Sequence, residues 1–591
     1  MSNDSDKSRP DDFFLSGGEE TSEDITALTP LRRDTLIEPL VDGIAAFKSM
    51  EEAIFNAKQS VYLAFWIFNP RTGVQSSAVK RADVNVRKWK DLIRNVAARG
   101  VTVRVLLTDF DPLFQDGLHR NNWGAYRTLV DEARRLGEAK RDLLQIICSL
   151  HLATASVGLG TRLESKLKEH VGSLNKRLKK EGEATTFNLL SNWPGLWNLV
   201  EYEKKTRTFL VRNGASLVVH PASHHQKLCI VDETTAYCGG LDVNTGRIAT
   251  PAHDREAYFW HDMHVKIQGT AAYDICRQFI ARWNGEAALH RQAVVEMNSS
   301  TLPVKMATHA ALSDLAPKVA ELTITGKTLV QIHCTRSENA LLSPIPSTTQ
   351  DDVKQGYEQA IKQARQFIYI ENQYVRSREL GEWLIASAKA RPAVRIIIVV
   401  PVAPEEVGAT GKGDEITEHG LFMQNSVFTD LRRELEKRIG IFSLIMKVRG
   451  LGRSKTETFG SPQIYVHSKI LIVDDLYANI GSPNANPRSF YVDTELSAAM
   501  YDPNEVKELR LRLWAEHLGN VKGMASWSPT DFVVAWTKIA ESNAKAPATS
   551  RQGFVIPHDT TRFPGTQASE QLDKFAGIFD LEREVADSAV V

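Results

Sequence analysis

The sequence predicts an α/β protein of two homologous halves, related by a pseudo-twofold axis, with the functional site at their interface. Three observations predict this fold class. The segment HQKLCIVD recurs 242 residues later as HSKILIVD. Each copy runs from a His-x-Lys pair into an apolar stretch typical of a strand buried on both faces. A longer helix-then-strand segment recurs upstream of each copy, so the duplication extends beyond the motifs.

The first element is an N-terminal segment, residues 1–30, that is acidic and poor in apolar side chains. This composition predicts a disordered tail. No basic stretch followed by an apolar core is present there, so the sequence predicts no cleavable secretory signal.

The two halves are assigned to residues 31–300 and 310–545. The segment at 51–68 matches the segment at 356–375, and both predict an amphipathic helix that leads into a buried strand. The distance from this segment to the motif is about 65 residues longer in the first half. The sequence therefore predicts an insert at about 140–205.

A helix is predicted in the insert, because apolar residues at 163, 167, 171, 174 and 178 form one stripe opposite a basic face. Phe187, Trp193 and Trp197 follow it. Either this element is a lid that packs its stripe on the core, or it lies on a membrane with its Trp side chains among lipid headgroups. The apolar stretch 143–159 predicts a buried helix rather than a membrane span, because it is short and contains polar residues. Residues 546–591 are predicted to be a peripheral tail.

The two motifs supply a His, a Lys and an Asp each to the predicted catalytic set. These are His225, Lys227 and Asp232 in the first half and His467, Lys469 and Asp474 in the second. On a strand, the His and the Lys project to the same side, because they are two residues apart. Each Asp lies an odd number of residues further on, so strand parity predicts that it faces away and holds nearby backbone.

Composition limits the class of partner. Lys plus Arg and Asp plus Glu both number 72, so no global attraction to nucleic acid or to an anionic membrane is predicted. The five Cys include no Cys-x-x-Cys pair, which argues against a zinc site or a disulfide framework. His261 and His264 flank Asp262, but no convincing third ligand accompanies them, so neither a metal nor another cofactor is predicted.

The duplicated motifs resemble those of the phospholipase D superfamily. Three further segments, IYIENQYV at 368–375, WHDMHVKIQG at 260–269 and LRLWAEHLG at 511–519, resemble the phospholipase D enzymes of plants, animals and bacteria. The resemblance covers roughly residues 31–520. It implies that each half is an α/β/α sandwich, and that the two His-Lys pairs form one active site.

The resemblance also implies a two-step reaction in which one imidazole attacks the phosphorus of a phosphodiester and the other protonates the departing alcohol. By resemblance His225 is the nucleophile and His467 the acid and base, although the symmetric sequence alone leaves this choice open. The resemblance points to Asp262 as the acceptor that holds His225 and to Glu495 as the acceptor that holds His467. The expected ligands of the phosphate oxygens are Lys227, Lys469, Asn244 and Asn486.

The function that the resemblance implies is hydrolysis of phosphatidylcholine-like lipids to phosphatidic acid and a free headgroup, with transfer to an alcohol when one competes with water. The expected partners are a phospholipid at a membrane surface and water or an alcohol, with no nucleic acid, and the chain is expected to be a monomer. The alternatives are a nuclease or a cardiolipin synthase-like phosphatidyltransferase and, in another class, an inactive lipid-binding scaffold. We expect a soluble protein that stays in the cytoplasm or leaves the cell by a signal-independent route, as a secreted effector or virulence factor would.

Overall fold

Two sheets with the same strand order form the centre of the protein, one from each half of the chain. The computed structural model describes residues 9–18, 27–154, 160–214, 217–254, 260–306, 312–316, 326–339, 346–405 and 407–568. The strands of the first half are β1 (Arg32–Val41), β2 (Ser60–Phe65), β3 (Thr102–Thr108), β4 (Leu144–Ser149), β5 (Val200–Glu203), β6 (Thr208–Val211), β7 (Leu228–Val231), β8 (Thr235–Gly239), β9 (Trp260–His261) and β10 (Met263–Gln268). Those of the second half are β11 (Thr328–Asn339), β12 (Pro346–Asp351), β13 (Phe367–Glu371), β14 (Arg395–Val399), β15 (Ile439–Ile445), β16 (Gln463–Val466), β17 (Ile470–Val473), β18 (Tyr477–Gly481), β19 (Glu495–Tyr501) and β20 (Val555–Pro557).

The repeat that the motifs predict extends to the whole of each sheet. The first sheet runs β4-β3-β2-β7-β8-β10-β1, and the second runs β15-β14-β13-β17-β18-β19-β11. In each sheet the first three strands are parallel and the others pair antiparallel. Strands β1 and β11 pair with each other and join the two sheets. The two halves therefore share one topology, as the α/β prediction requires.

Helices cover both faces of each sheet. They are α1 (Gly43–Asn56), α2 (Ser77–Ala82), α3 (Trp89–Ala98), α4 (Asp116–Arg135), α5 (Gly160–Ser191), α6 (Thr270–Asn298), α7 (Asp352–Gln363), α8 (Arg378–Ala390), α9 (Val407–Thr410), α10 (Glu415–Leu435), α11 (Pro487–Tyr491), α12 (Pro503–Leu518) and α13 (Pro529–Lys545). One core cluster joins the inner faces of both sheets to α6, α12 and α13. The outer face of the first sheet packs on α1, α3 and α4, and that of the second on α7, α8 and α10.

The strand residues alternate between these clusters with the period of two that a pleated strand imposes. In β2, Tyr62 and Ala64 point into the central cluster, whereas Val61, Leu63 and Phe65 point into the outer one. Both faces are apolar, and this explains why the motif strands have continuous apolar sequences. The predicted α/β architecture of two sandwich-like halves is confirmed.

The N-terminal and C-terminal segments are more ordered than predicted. Pro10–Phe13 forms a short 3-10 helix, and the Phe13 ring is fully buried at 5.6 Å from the ring of Tyr477. The prediction of disorder for residues 1–30 is therefore wrong for 9–18 and for 27–30, where Thr29 and Pro30 are buried, while 1–8 and 19–26 lie outside the described residues. The predicted peripheral tail is also partly wrong, because β20 pairs with β15 and the adjoining Phe554 is buried. Residues 569–591 lie outside the described part.

The insert forms a buried helical layer. Its predicted apolar stripe is buried along α5, and Trp193 and Trp197 are only 4% and 0% exposed. This burial supports the lid and removes the exposed Trp side chains on which the membrane alternative depended. The interval 140–205 starts too early, because β4 pairs with β3 as part of the sheet. The predicted helix at 143–159 is wrong for the same reason, and 155–159 lie outside the described residues. Among the described residues, no helix has both the length and the apolar character needed to cross a membrane.

Candidate active site

The two His-Lys pairs lie in extended chain directly before β7 and β17, at the meeting of the two halves. Both imidazoles and both Lys side chains are buried. The main-chain N–H of His225 donates to the carbonyl of Thr494 at 2.9 Å, and that of His467 donates to the carbonyl of His261 at 2.7 Å. Each motif is thus held by the chain that leads into β10 or β19 of the other half, and this brings the two imidazoles into one site.

Each imidazole is hydrogen-bonded to a carboxylate of the opposite half. Nδ1 of His225 lies 2.9 Å from Oε1 of Glu495, and Nδ1 of His467 lies 2.6 Å from Oδ2 of Asp262. The predicted pairing of Asp262 with His225 and of Glu495 with His467 is therefore wrong: the partners are exchanged. The cause is the pseudo-twofold axis, because the chain that carries each acid crosses it and runs beside the motif of the other half.

The carboxylates fix the chemical state of the imidazoles. A neutral imidazole that donates from Nδ1 keeps its lone pair on Nε2, where it can attack or accept a proton. Burial lowers the pKa of His225, and Lys227 lowers it further, against the opposing effect of Glu495. Burial likewise holds the pKa of His467 well below its usual range, helped by Lys469. Both shifts favour the neutral form of the imidazoles.

The two Lys side chains occupy matching positions. Nζ of Lys227 donates to the carbonyl of His225 at 2.6 Å, and Nζ of Lys469 donates to that of His467 at 2.5 Å. Lys227 also lies 3.9 Å from a carboxylate oxygen of Asp242. Burial lowers the pKa of both ammonium groups. Each has donor capacity left for a further anion, because an ammonium group carries three N–H donors.

The motif aspartates hold the backbone, as strand parity predicts. Asp232 accepts hydrogen bonds from the main-chain N–H groups of residues 58, 59 and 60, at the start of β2. Asp474 does the same for residues 365, 366 and 367, at the start of β13. Both lie at the far end of the motif strand from the His. Their direct contribution is to pair β7 and β17 with the central parallel strands.

The two predicted phosphate-binding Asn residues begin short helical turns. The side-chain oxygen of Asn244 accepts the N–H of Gly246, and that of Asn486 accepts the N–H of Ser489. This N-capping uses the amide oxygen, and the side-chain NH2 group is the part that could donate to a phosphate. The phosphate-binding role stays a prediction.

A second network of imidazoles and carboxylates supports His467 from behind. Glu371 accepts from Nε2 of His261 at 3.0 Å, from Nε2 of His517 at 2.8 Å and from Oγ of Ser468 at 2.5 Å. Burial raises the pKa of Glu371, but His261 and His517 outweigh it and hold that pKa well below its usual range. Glu371, His261 and His517 come from the three segments that accompany the motifs in the sequence, so the network gives those segments a structural role.

Two groups in this network contain donor atoms that a metal ion could use. One consists of Asp42, His253, His261 and Glu516, the other of His261, Glu371 and His517, and within each group the donor atoms lie within 4.8 Å of one another. Potential ligands that the sequence did not reveal therefore lie around His261. In both groups imidazole and carboxylate contact each other directly, for example at 2.9 Å between His261 and Glu516, a distance typical of charge-assisted hydrogen bonds.

The sequence comparison of the two motifs missed residues at which the halves differ. Ser489 donates to Oε1 of Glu495 at 2.6 Å, whereas the equivalent position, three residues after Asn244, is Arg247. Similarly, Nζ of Lys227 lies 5.3 Å from the ring centroid of Trp66. The equivalent residue of the second half is Gln373, whose side-chain oxygen accepts from Nζ of Lys469. A search for shared residues passes over such positions. A search for chemical differences between aligned copies would have found them.

Comparison with known proteins points to one family. The sequence profile of the family described as Phospholipase D matches residues 254–389 and 451–543. The chain is 26% identical over 386 residues to phospholipase D alpha 4 of Arabidopsis thaliana, covering 50% of this chain and 49% of that protein. It is 25% identical over 410 residues to phospholipase D alpha 2 of Oryza sativa subsp. japonica, covering 51% and 49%. The chain spans about half the length of these curated relatives.

Among solved structures, the phosphatidylserine synthase of Haemophilus influenzae Rd KW20 is similar over 82% of this chain and 87% of that chain. The TM-score is 0.44 and the sequence identity 15%.

Proposed function

Because the chain belongs to the phospholipase D superfamily, we propose that it is a phosphodiesterase that hydrolyses phosphatidylcholine-like lipids through a phosphohistidine. The observation that carries the proposal is the pair of buried imidazoles, each hydrogen-bonded at Nδ1 to a carboxylate of the other half. Two buried Lys side chains accompany them and can bind a phosphate between the halves. A lipid is favoured over nucleic acid because the chain has zero net charge and because the curated relatives are phospholipases by name.

In the first step, Nε2 of His225 attacks the phosphorus, a P–N bond forms, and the P–O bond to the headgroup alcohol breaks. A proton from Nε2 of His467 goes to the departing oxygen. This step needs a protonated His467, and the negative charge of a bound phosphodiester favours that form, since a nearby anion raises the pKa of an imidazole. Lys227 and Lys469 then stabilise the charge that develops on the non-bridging oxygens.

In the second step, the neutral His467 takes a proton from water, and the resulting oxygen attacks the phosphorus. The P–N bond breaks, phosphatidic acid leaves, and both imidazoles return to their starting states. An alcohol in place of water gives a phosphatidyl alcohol, so transfer to ethanol reports the covalent intermediate.

The test is incubation of the purified protein with phosphatidylcholine vesicles and a little ethanol, with products read by mass spectrometry. We expect phosphatidylethanol and free choline from the wild type and neither from His467→Ala. His170→Gln, in the insert, is the control for substitution of a buried His outside the centre. Cleavage of bis-p-nitrophenyl phosphate without lipid turnover would support the phosphodiesterase reaction and refute the lipid substrate. Turnover of neither compound by a folded protein would refute the enzyme and leave the lipid-binding scaffold.

A further inference from the structure

Arg247 is a buried cation of the candidate active site that forms no ion pair among the described residues, although its charge, after that of Lys469, lowers the pKa of Asp262. It ends the 3-10 turn Thr245–Arg247 that Asn244 caps, and it is 6% exposed. Its Nη1 atom is buried and has no hydrogen-bond partner. Within the described part of the chain, no carboxylate lies within ion-pair distance of its guanidinium. Burying an unpaired charge is costly, so a side chain in this state indicates a missing anionic partner.

The guanidinium lies close to the reacting groups. Its central carbon is 3.4 Å from the ring centroid of Trp260, and this ring packs edge-on against the imidazole of His467 at 4.8 Å. Its charge acts on both motif Lys side chains: after burial and the effects of closer groups, Arg247 further lowers the pKa of Lys227 and of Lys469. Three cations therefore share one buried space.

The duplication shows that this cation is not part of the common framework. The equivalent residue of the second half is Ser489, whose hydroxyl donates to the carboxylate that holds His225. Arg247 makes no such hydrogen bond to Asp262, the matching carboxylate, among the described contacts. Ser489 therefore holds the Glu495 carboxylate, whereas Arg247 does not hold Asp262 in this way and can contact another anion.

We propose that Arg247 is a third cationic ligand of the substrate's phosphodiester group, beside Lys227 and Lys469. The proposal rests on the proposed function and adds to it a residue that breaks the symmetry of the site. A guanidinium can hold two phosphate oxygens at once with parallel N–H donors, which an ammonium group cannot do. Stacking on Trp260 holds the plane of the guanidinium group, so its two parallel N–H donors would have a fixed direction toward the phosphate.

The experiment compares Arg247→Met and Arg247→Lys with the wild type. Met keeps much of the length and apolar contact of Arg without its charge, whereas Lys keeps the charge without the fork. We expect Arg247→Met to lower kcat/KM by about 100-fold, the typical effect of removing one preorganised donor, and Arg247→Lys to recover part of it. The affinity for inorganic phosphate, measured by calorimetry, should fall at least tenfold in Arg247→Met. Arg120→Met is the matched control, because Arg120 also stacks on a Trp, Trp193 at 5.0 Å, outside the centre.

A purely structural role, in which Arg247 only supports Trp260, predicts a different pattern. Activity would then fall in Arg247→Met and Arg247→Lys alike, the affinity for phosphate would be unchanged, and the proposal would be overturned. The pH profile adds a second readout, since Arg247 is among the charges that lower the pKa of His467, after burial and Lys469. Removing the charge in Arg247→Met should move the profile to higher pH, and Arg247→Lys, which keeps the charge, should leave the profile in place.

The phosphate measurement also separates this proposal from the proposed function. If the protein cleaves no phosphodiester but binds inorganic phosphate in a way that depends on Arg247, the proposed activity is refuted and the phosphate-binding role of Arg247 stands. Lipid turnover that Arg247→Met leaves unchanged would do the reverse.

Discussion

Neutralising the two buried acids should impair different events of the first step, attack on the phosphorus and protonation of the leaving group, because each acid serves one imidazole of the opposite half. Glu495→Gln removes the charge beside His225, the proposed nucleophile, and Asp262→Asn removes the charge beside His467, the proposed acid. Hydrogen bonds to charged groups contribute about 1.5–3 kcal/mol. Both acids are at most 1% exposed, so the upper value applies and each substitution should lower kcat/KM on lipid about 100-fold.

A substrate whose leaving group needs no proton separates the two effects. With bis-p-nitrophenyl phosphate, the nitrophenolate leaves unassisted, so the first burst of product depends on the nucleophile alone. We expect stopped-flow bursts to be slow in Glu495→Gln and close to wild type in Asp262→Asn. Glu233→Gln is the control, because Glu233 is a buried carboxylate that accepts from Tyr62 away from the site. A slow burst in Asp262→Asn with a normal burst in Glu495→Gln would refute either the exchange of partners or the assignment of the nucleophile.

Three further predictions concern pH, the N-terminal segment and the insert. Burial raises the pKa of Asp262 to about 6. Because Asp262 holds His467, kcat/KM should fall as pH drops through about 6 and the carboxylate becomes protonated. Asp262→Asn should abolish this fall at low pH. Phe13→Ala should lower the free energy of unfolding in urea by about 3–5 kcal/mol, whereas the control Phe459→Ala, at a ring that is 45% exposed, should change it by less than about 0.5 kcal/mol. Trp193→Ala plus Trp197→Ala should lower the melting temperature and leave vesicle binding of the folded protein unchanged. Loss of vesicle binding at an unchanged melting temperature would instead support an insert that lies on the membrane.

The sequence predicted what depends on local periodicity and on repetition. Two copies of one motif, each leading into an apolar run, were enough to predict two equivalent sheets that meet at a shared site. Parity along the motif also led to the correct prediction that Asp232 and Asp474 hold backbone, but each lies one residue past its strand, where the chain turns with a positive φ.

Contacts across the pseudo-twofold axis were beyond the sequence. The resemblance pointed to Asp262 as the partner of its own motif, and only the packing of the halves shows that it serves His467. Phe13 and Phe14 were missed for a related reason. An acidic, polar composition predicts disorder on average, but two aromatic rings suffice to anchor a short segment when a complementary apolar surface is available elsewhere in the chain.

The exchange of acids resembles the interface of a symmetric dimer. In such a dimer every contact between two residues occurs twice, once in each direction across the twofold axis. A single half contains a His and a carboxylate that do not meet, so half of this chain has no complete catalytic pair. Joining two copies in one polypeptide removes the requirement that they remain identical. Once covalently linked, one copy could acquire Arg247 and a long insert while the other kept Ser489 and a short connection. Linking the halves in one chain thus converts an interface that must be self-complementary into one on which each side can differ, so that a substrate with two unlike ends can be bound in one direction.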